Sequence, residues 1–176
     1  MFTQPDSGTR PGVGPMQAYV NFWRWIGHKR WFAVAMRYAL SKVDREIYRL
    51  SGGRLALTGP PVLPILLLTT IGRKTGKERT VPLTYLRDAT KLVVTSENFG
   101  LERKAGWPKN LLANPEATVQ IGRQTSRYLS RPASEGEISR YWPRLLEIWP
   151  ALQTYMERGG ERFVFVLEPA TQSQDA

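Results

Sequence analysis

The residues best suited to chemistry lie in one short segment, TTIGRKTGKERTVPL, which spans Thr69 to Leu83. Two glycines in it are interleaved with four cations and a single carboxylate, so the local charge is +3. These residues are Gly72, Gly76, Arg73, Lys74, Lys77, Arg79 and Glu78. Glycine allows positive φ, so main-chain amides can converge on an oxyanion while Arg and Lys side chains neutralise it. The segment predicts a loop that binds phosphate or carboxylate; the alternative is a charged hairpin turn that only faces water.

Composition excludes several other kinds of site. The chain contains no cysteine, which rules out disulfides, thiolate metal sites, iron–sulfur clusters and cysteine nucleophiles. The single histidine, His28, argues against zinc or haem, and we interpret it as a surface residue. GxGxxG, GxxxxGKS/T, GxSxG and HExxH are all absent from the sequence. We therefore predict no metal site and no catalytic triad.

The charge of the whole chain indicates an anionic partner. Lys and Arg number 25 against 15 Asp and Glu, which gives +10 at pH 7. Such a field attracts nucleic acid, acidic lipid, or phosphorylated and carboxylated ligands, and charge alone does not choose among them. No apolar run approaches the roughly 20 residues that cross a bilayer, and residues 1–15 lack the order of a secretory signal. We expect a cytoplasmic protein.

The elements that must position the loop form one predicted domain, residues 15–169. Residues 1–14 and 170–176 have no hydrophobic period and are predicted to be disordered tails. Residues 15–53 form a predicted helical segment with an aromatic stripe. Short apolar runs between turn residues then predict strands. The strands are at 63–70, 79–86, 91–96, 117–121, 124–131 and 163–167.

Two helical stretches interrupt these strands. Residues 107–113 are long enough for two turns, with Pro108 accepted only in the first. Ser134 and Glu137 have the spacing of a capping box, which predicts a long helix that Pro150 kinks or restarts. Hairpins with inserted helices favour an α+β fold with an antiparallel, barrel-like sheet over a doubly wound one. Pro82 then requires an edge position or a bulge.

Three segments in this order resemble the deazaflavin-dependent nitroreductase family of actinobacteria. They are LLTTIGRKTGKERTVPLTYLRD, GWPKNLLANPEATVQIG and YWPRLLEIWPALQTYMER, and the similarity covers about residues 65–169. The resemblance implies a split β-barrel of the FMN-binding type with N-terminal and C-terminal helices. It also implies coenzyme F420, an 8-hydroxy-5-deazaflavin whose side chain ends in phosphate and polyglutamate. The cofactor-binding residues that it implies are Arg73, Lys74, Thr75, Arg79, Pro82, Leu83, Thr84, Tyr85, Thr95, Ser96, Asn98, Trp107, Lys109 and Asn110.

By the same resemblance, the protein transfers a hydride from reduced F420 to a small flat acceptor, namely a quinone, an enone or a nitroaromatic compound. Trp149 and Tyr155 close the substrate side, and Tyr155 is the candidate that orients or protonates the substrate. The alternative for Tyr155 is a tyrosine at the edge of the core. Leu152 cannot hydrogen-bond a nitro oxygen, which favours quinones and enones.

Other functions stay open at this point. An FMN-dependent enzyme on the same barrel also needs cations for a phosphate, and a relative without catalysis could merely store coenzyme. A nucleic-acid-binding module would explain the charge, but the cations concentrate on a glycine loop and no RNA-binding motif is present. We predict no nucleic-acid partner. The aromatic, basic residues 19–32 could lie on an anionic membrane surface as a peripheral contact, and either a monomer or a homodimer is compatible with the sequence.

Overall fold

The computed structural model describes residues 63–96, 105–159 and 163–170, together with residues 21, 22, 25, 26, 29 and 31. The tail predicted at 1–14, most of the helical segment predicted at 15–53, residue Asn98 and residues 171–176 lie outside the described residues. All six predicted strands and both predicted helical stretches fall within them.

Six antiparallel strands close into a barrel in the order β1-β2-β3-β6-β5-β4, with β4 returning to β1. The strands are β1 (Ile65–Ile71), β2 (Glu78–Asp88), β3 (Lys91–Ser96), β4 (Glu116–Ile121), β5 (Gln124–Pro132) and β6 (Phe163–Pro169). The Gly122–Arg123 turn joins β4 to β5, and Gly122 has a φ of 59°. The predicted α+β fold with an antiparallel barrel is confirmed.

The barrel is split along β2. Its first half, residues 78–84, pairs with β1, whereas Tyr85 to Asp88 pair with β3. Among the described strands, residues 78–84 therefore have one neighbour only. Pro82 lies in this half, opposite Leu67. Because proline has no N–H to donate, it fits where its nitrogen can face away from a partner strand, and the prediction of an edge position is confirmed.

Two hydrophobic clusters lie on the two faces of the barrel wall. Successive side chains of a strand point to opposite faces, and β3 shows the alternation: Leu92 and Val94 belong to the interior cluster, Val93 to the outer one. The interior cluster also contains Trp107, and the outer cluster contains side chains of the helices after β5. The helices thus complete the core from outside and from one end.

Between residues 105 and 159 the structure describes three helices: α1 (Trp107–Ala113), α2 (Glu135–Ile148) and α3 (Ala151–Gly159). The Ser134 side chain accepts the Glu137 amide, and the Glu137 carboxylate accepts the Ser134 amide at 2.9 Å, so the predicted capping box is confirmed. Pro150 separates α2 from α3, as predicted for a residue that cannot continue the hydrogen-bond ladder.

Ion pairs dock α2 on the barrel. Arg131 on β5 makes two 2.7 Å hydrogen bonds to Glu137, and these bonds lower the pKa of Glu137 to about 2. At the β2–β3 turn, Asp88 accepts hydrogen bonds from the buried Tyr141 hydroxyl at 2.8 Å and from Arg144 at 3.2 Å. These two bonds are the main reason why the pKa of Asp88 is lowered.

Candidate anion-binding site

The glycine-rich segment forms the tight loop between β1 and β2. The Gly72 amide donates to the Lys77 carbonyl at 2.8 Å, and the Thr75 and Gly76 amides donate to the Gly72 carbonyl at 3.0 and 2.8 Å. Gly76 has a φ of 64°, which an L-residue adopts only with strain. A Cβ at Gly72 would lie 2.9 Å from Thr75 Oγ1 and 3.0 Å from the Lys77 oxygen. Both glycines are therefore required by the shape of this turn.

The expectation that main-chain amides of the loop converge on an anion is wrong for the amides that carry these bonds. The amides of Gly72, Thr75 and Gly76 are used inside the loop, and the Arg73 amide donates to Asn110 Oδ1 at 3.2 Å. A turn this tight satisfies its own donors, so they do not point outward together. The donors that this loop has left for an anion are therefore its side chains.

The cationic side chains of the loop meet that requirement. Arg73, Lys74, Lys77 and Arg79 are all exposed, and so is Lys109 on α1. No ion pair within the described part of the chain includes any of the five. Four of these charges lie at one end of a hairpin, and among the described residues none of the five has a carboxylate partner. Such cations are the donors that a phosphate with nearby carboxylates needs.

Helix α1 brings Asn110 to the loop. Trp107, at the start of α1, is buried in the interior cluster with its ring centroid 5.6 Å from that of Phe165. This contact fixes α1 against the barrel. Asn110 Nδ2 donates to Thr70 Oγ1 at 3.1 Å, and Asn110 Oδ1 accepts the Arg73 amide at 3.2 Å. The predicted residues Arg73, Arg79 and Asn110 are thus linked by hydrogen bonds through Thr70. Thr75 lies in the same loop, and Lys109 precedes Asn110 on α1.

Thr70 is the residue that sequence reasoning missed. It is 1% exposed and its hydroxyl donates to the Arg79 carbonyl at 3.5 Å. The signal available was a threonine at an inward position of a strand otherwise rich in leucine, where a hydroxyl needs a partner. The partner, Asn110, lies 40 residues away in the chain, which no local pattern indicates.

The residues predicted to line a flat ring do not share one face. Leu83 and Tyr85 pack against the interior cluster. Pro82 and Thr84 alternate with them and point to the outer face of β2. Residues 82–85 therefore place two side chains on the interior face of β2 and two on its outer face.

The predicted residues on β3 divide in the same way. Ser96 is 7% exposed and lies opposite Phe163, whose ring stacks on Phe165 at 6.3 Å. Ser96 and Trp107 therefore adjoin the same aromatic pair. Thr95 is half-buried and points to the opposite face.

Trp149 and Tyr155 lie in the outer cluster, together with Leu152. Trp149 is 8% exposed and Tyr155 is 2% exposed, so both are packed as core residues. The structure does not bring them next to the cationic loop residues in any described contact. Their predicted catalytic role stays a prediction.

The chain is similar to several known proteins. A family model described as F420H(2)-dependent quinone reductase matches residues 40–169. An F420H(2)-dependent quinone reductase of Mycobacterium tuberculosis is 32% identical over 115 residues, which are 64% of this chain and 77% of the relative. A solved structure of an F420-H2 dependent reductase is 30% identical, with a TM-score of 0.55 over 60% of this chain and 94% of the other. Another, described as a domain-swapped dimer, is 27% identical, with a TM-score of 0.57 over 72% and 95%.

Proposed function

Because this chain belongs to the F420H(2)-dependent quinone reductase family, we propose that it transfers a hydride from reduced coenzyme F420 to a small flat acceptor of the quinone class. Enones and nitroaromatic compounds are secondary acceptors in this proposal. The observation that carries it is the loop at the end of the β1–β2 hairpin. Its four exposed cations have no carboxylate partner among the described residues. The buried residues Thr70 and Asn110 bond to the main chain of two of them, Arg73 and Arg79.

The side chains present fit the anionic end of the coenzyme. Arg73 and Arg79 would bind its phosphate through bidentate hydrogen bonds, and Lys74 and Lys109 would neutralise the carboxylates that follow. The Thr75 hydroxyl is a further donor. The +10 charge of the chain would attract this polyanion over a distance of about 10 Å at moderate salt.

Bound reduced deazaflavin supplies the hydride. The protein must place the acceptor, exclude water and deliver a proton. In this proposal the split of the barrel receives the ring, with the β2 edge at Pro82 to Tyr85 on one side and Trp107 on the other. The Ser96 hydroxyl would contribute a polar group on the Trp107 side of the ring.

The proposed proton source, Tyr155, is tested by Tyr155→Phe. Phenylalanine keeps the packing of a side chain that is 2% exposed and removes only the hydroxyl. If the hydroxyl protonates or orients the substrate, kcat falls and the pH profile of kcat changes. A change in melting temperature alone would assign Tyr155 to the core.

The activity is tested by following the oxidation of reduced F420 after menadione is added. Arg73→Ala should raise the KM for F420 roughly 10- to 100-fold with little change in kcat, since a charge-assisted hydrogen bond is worth about 1.5–3 kcal/mol. Arg123→Ala is the matched control, because Arg123 is exposed in the turn of the other hairpin. No oxidation of reduced F420 by any quinone, enone or nitro acceptor would contradict the proposal.

We also propose that residues 19–32 make a peripheral contact with an anionic membrane surface. Phe22, Trp25 and Trp31 are 52%, 59% and 62% exposed, and Lys29 Nζ lies 4.9 Å above the Trp25 ring. Exposed aromatic rings beside a cation are typical of a helix at a lipid headgroup layer. None of the helices in the described ranges is long and apolar enough to span a bilayer. The full chain should sediment with vesicles that contain anionic lipid, and Trp25→Ala should weaken this; equal sedimentation with neutral vesicles would contradict an electrostatic contact.

A further inference from the structure

Two buried polar side chains connect both ends of the cationic loop. The Arg73 amide, at the start of the loop, donates to Asn110 Oδ1 at 3.2 Å. Asn110 Nδ2 in turn donates to Thr70 Oγ1 at 3.1 Å, and the Thr70 hydroxyl donates to the carbonyl of Arg79, after the loop, at 3.5 Å. A single series of hydrogen bonds therefore runs from Arg73, in the loop, to Arg79, near the start of β2.

The side chains that form this series of hydrogen bonds are buried, whereas the charged side chains of Arg73 and Arg79 are exposed. Thr70 is 1% exposed and Asn110 is 7% exposed, so water does not compete for their bonds. Four like charges on a short loop repel one another and favour other loop shapes. The buried series of hydrogen bonds opposes that repulsion, because leaving either polar side chain without its partner would be unfavourable.

We propose that Asn110 and Thr70 are positioning residues that fix the phosphate-binding geometry of Arg73 and Arg79 without touching the coenzyme. This inference rests on the proposed function, and it differs from the sequence-based expectation that Asn110 contacts the coenzyme directly. Both ends of the Asn110 side-chain amide already bond to the protein. In this proposal Asn110 acts on the ligand through the main chain of Arg73, and therefore at the phosphate end.

The test compares two ligands, oxidised F420 and its riboside core that lacks phosphate and polyglutamate. Asn110→Ala should weaken F420 binding about tenfold, the loss that follows when one well-placed hydrogen bond no longer holds the loop. The riboside should bind the variant and the wild type equally within about twofold, because it does not reach the loop. Fluorescence titration of the purified full chain measures both.

Three variants complete the design. Thr70→Val should reproduce the loss, Thr70→Ser should restore binding because it keeps the hydroxyl, and the Asn110→Ala/Thr70→Val double variant should be no weaker than the worse single one. Asn114→Ala is the matched control, since Asn114 ends the same helix and accepts the Glu116 amide at 3.1 Å, away from the loop. It should leave the binding of both ligands unchanged.

A measurement without ligand tests the role of Asn110 in the loop directly. In Asn110→Ala the Arg73 amide should exchange with solvent at least tenfold faster by NMR, while amides in the middle of β1 keep their rates. Equal weakening of F420 and riboside, or normal F420 binding by Asn110→Ala, would overturn this inference alone. A wild type that binds neither ligand would instead overturn the proposed function.

Discussion

Alanine at Gly72 and alanine at Gly76 should both disturb the cationic loop, but for different physical reasons that can be measured separately. At Gly76 a Cβ has nothing within 4 Å, yet φ is 64°. An L-residue in this left-handed region costs about 1–2 kcal/mol. At Gly72 the backbone angle is not the obstacle. There the new Cβ would lie 3.0 Å from the Lys77 carbonyl oxygen, which accepts the Gly72 amide at 2.8 Å.

Relief of the Gly72 contact must therefore lengthen a hydrogen bond inside the loop, and that bond contributes about 1 kcal/mol. We expect Gly76→Ala to lower the free energy of unfolding by about 1–2 kcal/mol and Gly72→Ala by about 1 kcal/mol. Urea denaturation measures both. Gly76→Asn should lose less than Gly76→Ala, because asparagine tolerates positive φ.

The same variants should weaken F420 binding, since each moves Arg73 and Arg79 relative to one another. Gly136→Ala is the control: it lies in α2, its Cβ would meet nothing within 4 Å, and alanine is the better helix former. It should leave binding unchanged and raise stability slightly. Loop variants that keep wild-type stability and wild-type affinity would refute the reasoning that the glycines set the geometry of the site.

Two further predictions concern the docking of α2. The hydrogen bonds from Arg131 lower the pKa of Glu137 from 4.5 to about 2 in the folded protein, so the stabilising contribution of the Glu137 carboxylate is complete above pH 4.5 and is lost as the pH falls towards 2. Glu137→Gln should therefore flatten the curve of stability against pH in this window, and Glu135→Gln is the control. If Glu137→Gln leaves the loss of stability at acid pH unchanged, the ion pair does not contribute. Tyr141→Phe should raise the pKa of Asp88 towards its usual value, because the tyrosine hydrogen bond is the first cause of the lowering, and it should lower the melting temperature by roughly 2–4 °C. An NMR titration of Asp88 that gives the same pKa in both proteins would show that the hydroxyl does not stabilise the carboxylate.

The strands and helices could be predicted from the sequence because their signals are local. Each predicted strand lies within two residues of the observed limits at both ends. Apolar runs between turn residues, the Ser134 capping box and Pro150 all act over a few neighbouring residues. The hairpin pattern favoured an antiparallel, barrel-like sheet, and the family resemblance specified it as a split barrel.

The site was predicted less completely because it depends on contacts between distant parts of the chain. The Thr70–Asn110 hydrogen bond spans 40 residues, and the sequence gives no sign that the loop amides turn inward. Strand alternation explains why Pro82 and Leu83 lie on different faces, but only the register of β2 decides which face each takes. The packing of Trp149 in the outer cluster depends on how α2 and α3 dock, which an aromatic pattern does not determine.

The central claim is that the anionic end of the coenzyme binds on the β1–β2 loop. A crystal structure of the full chain with oxidised F420 tests it most directly. We expect the phosphate within about 3 Å of the Arg73 and Arg79 guanidinium groups, with the Asn110 side chain still bonded to Thr70. A phosphate bound at another surface, with this loop left in solvent, would contradict the account.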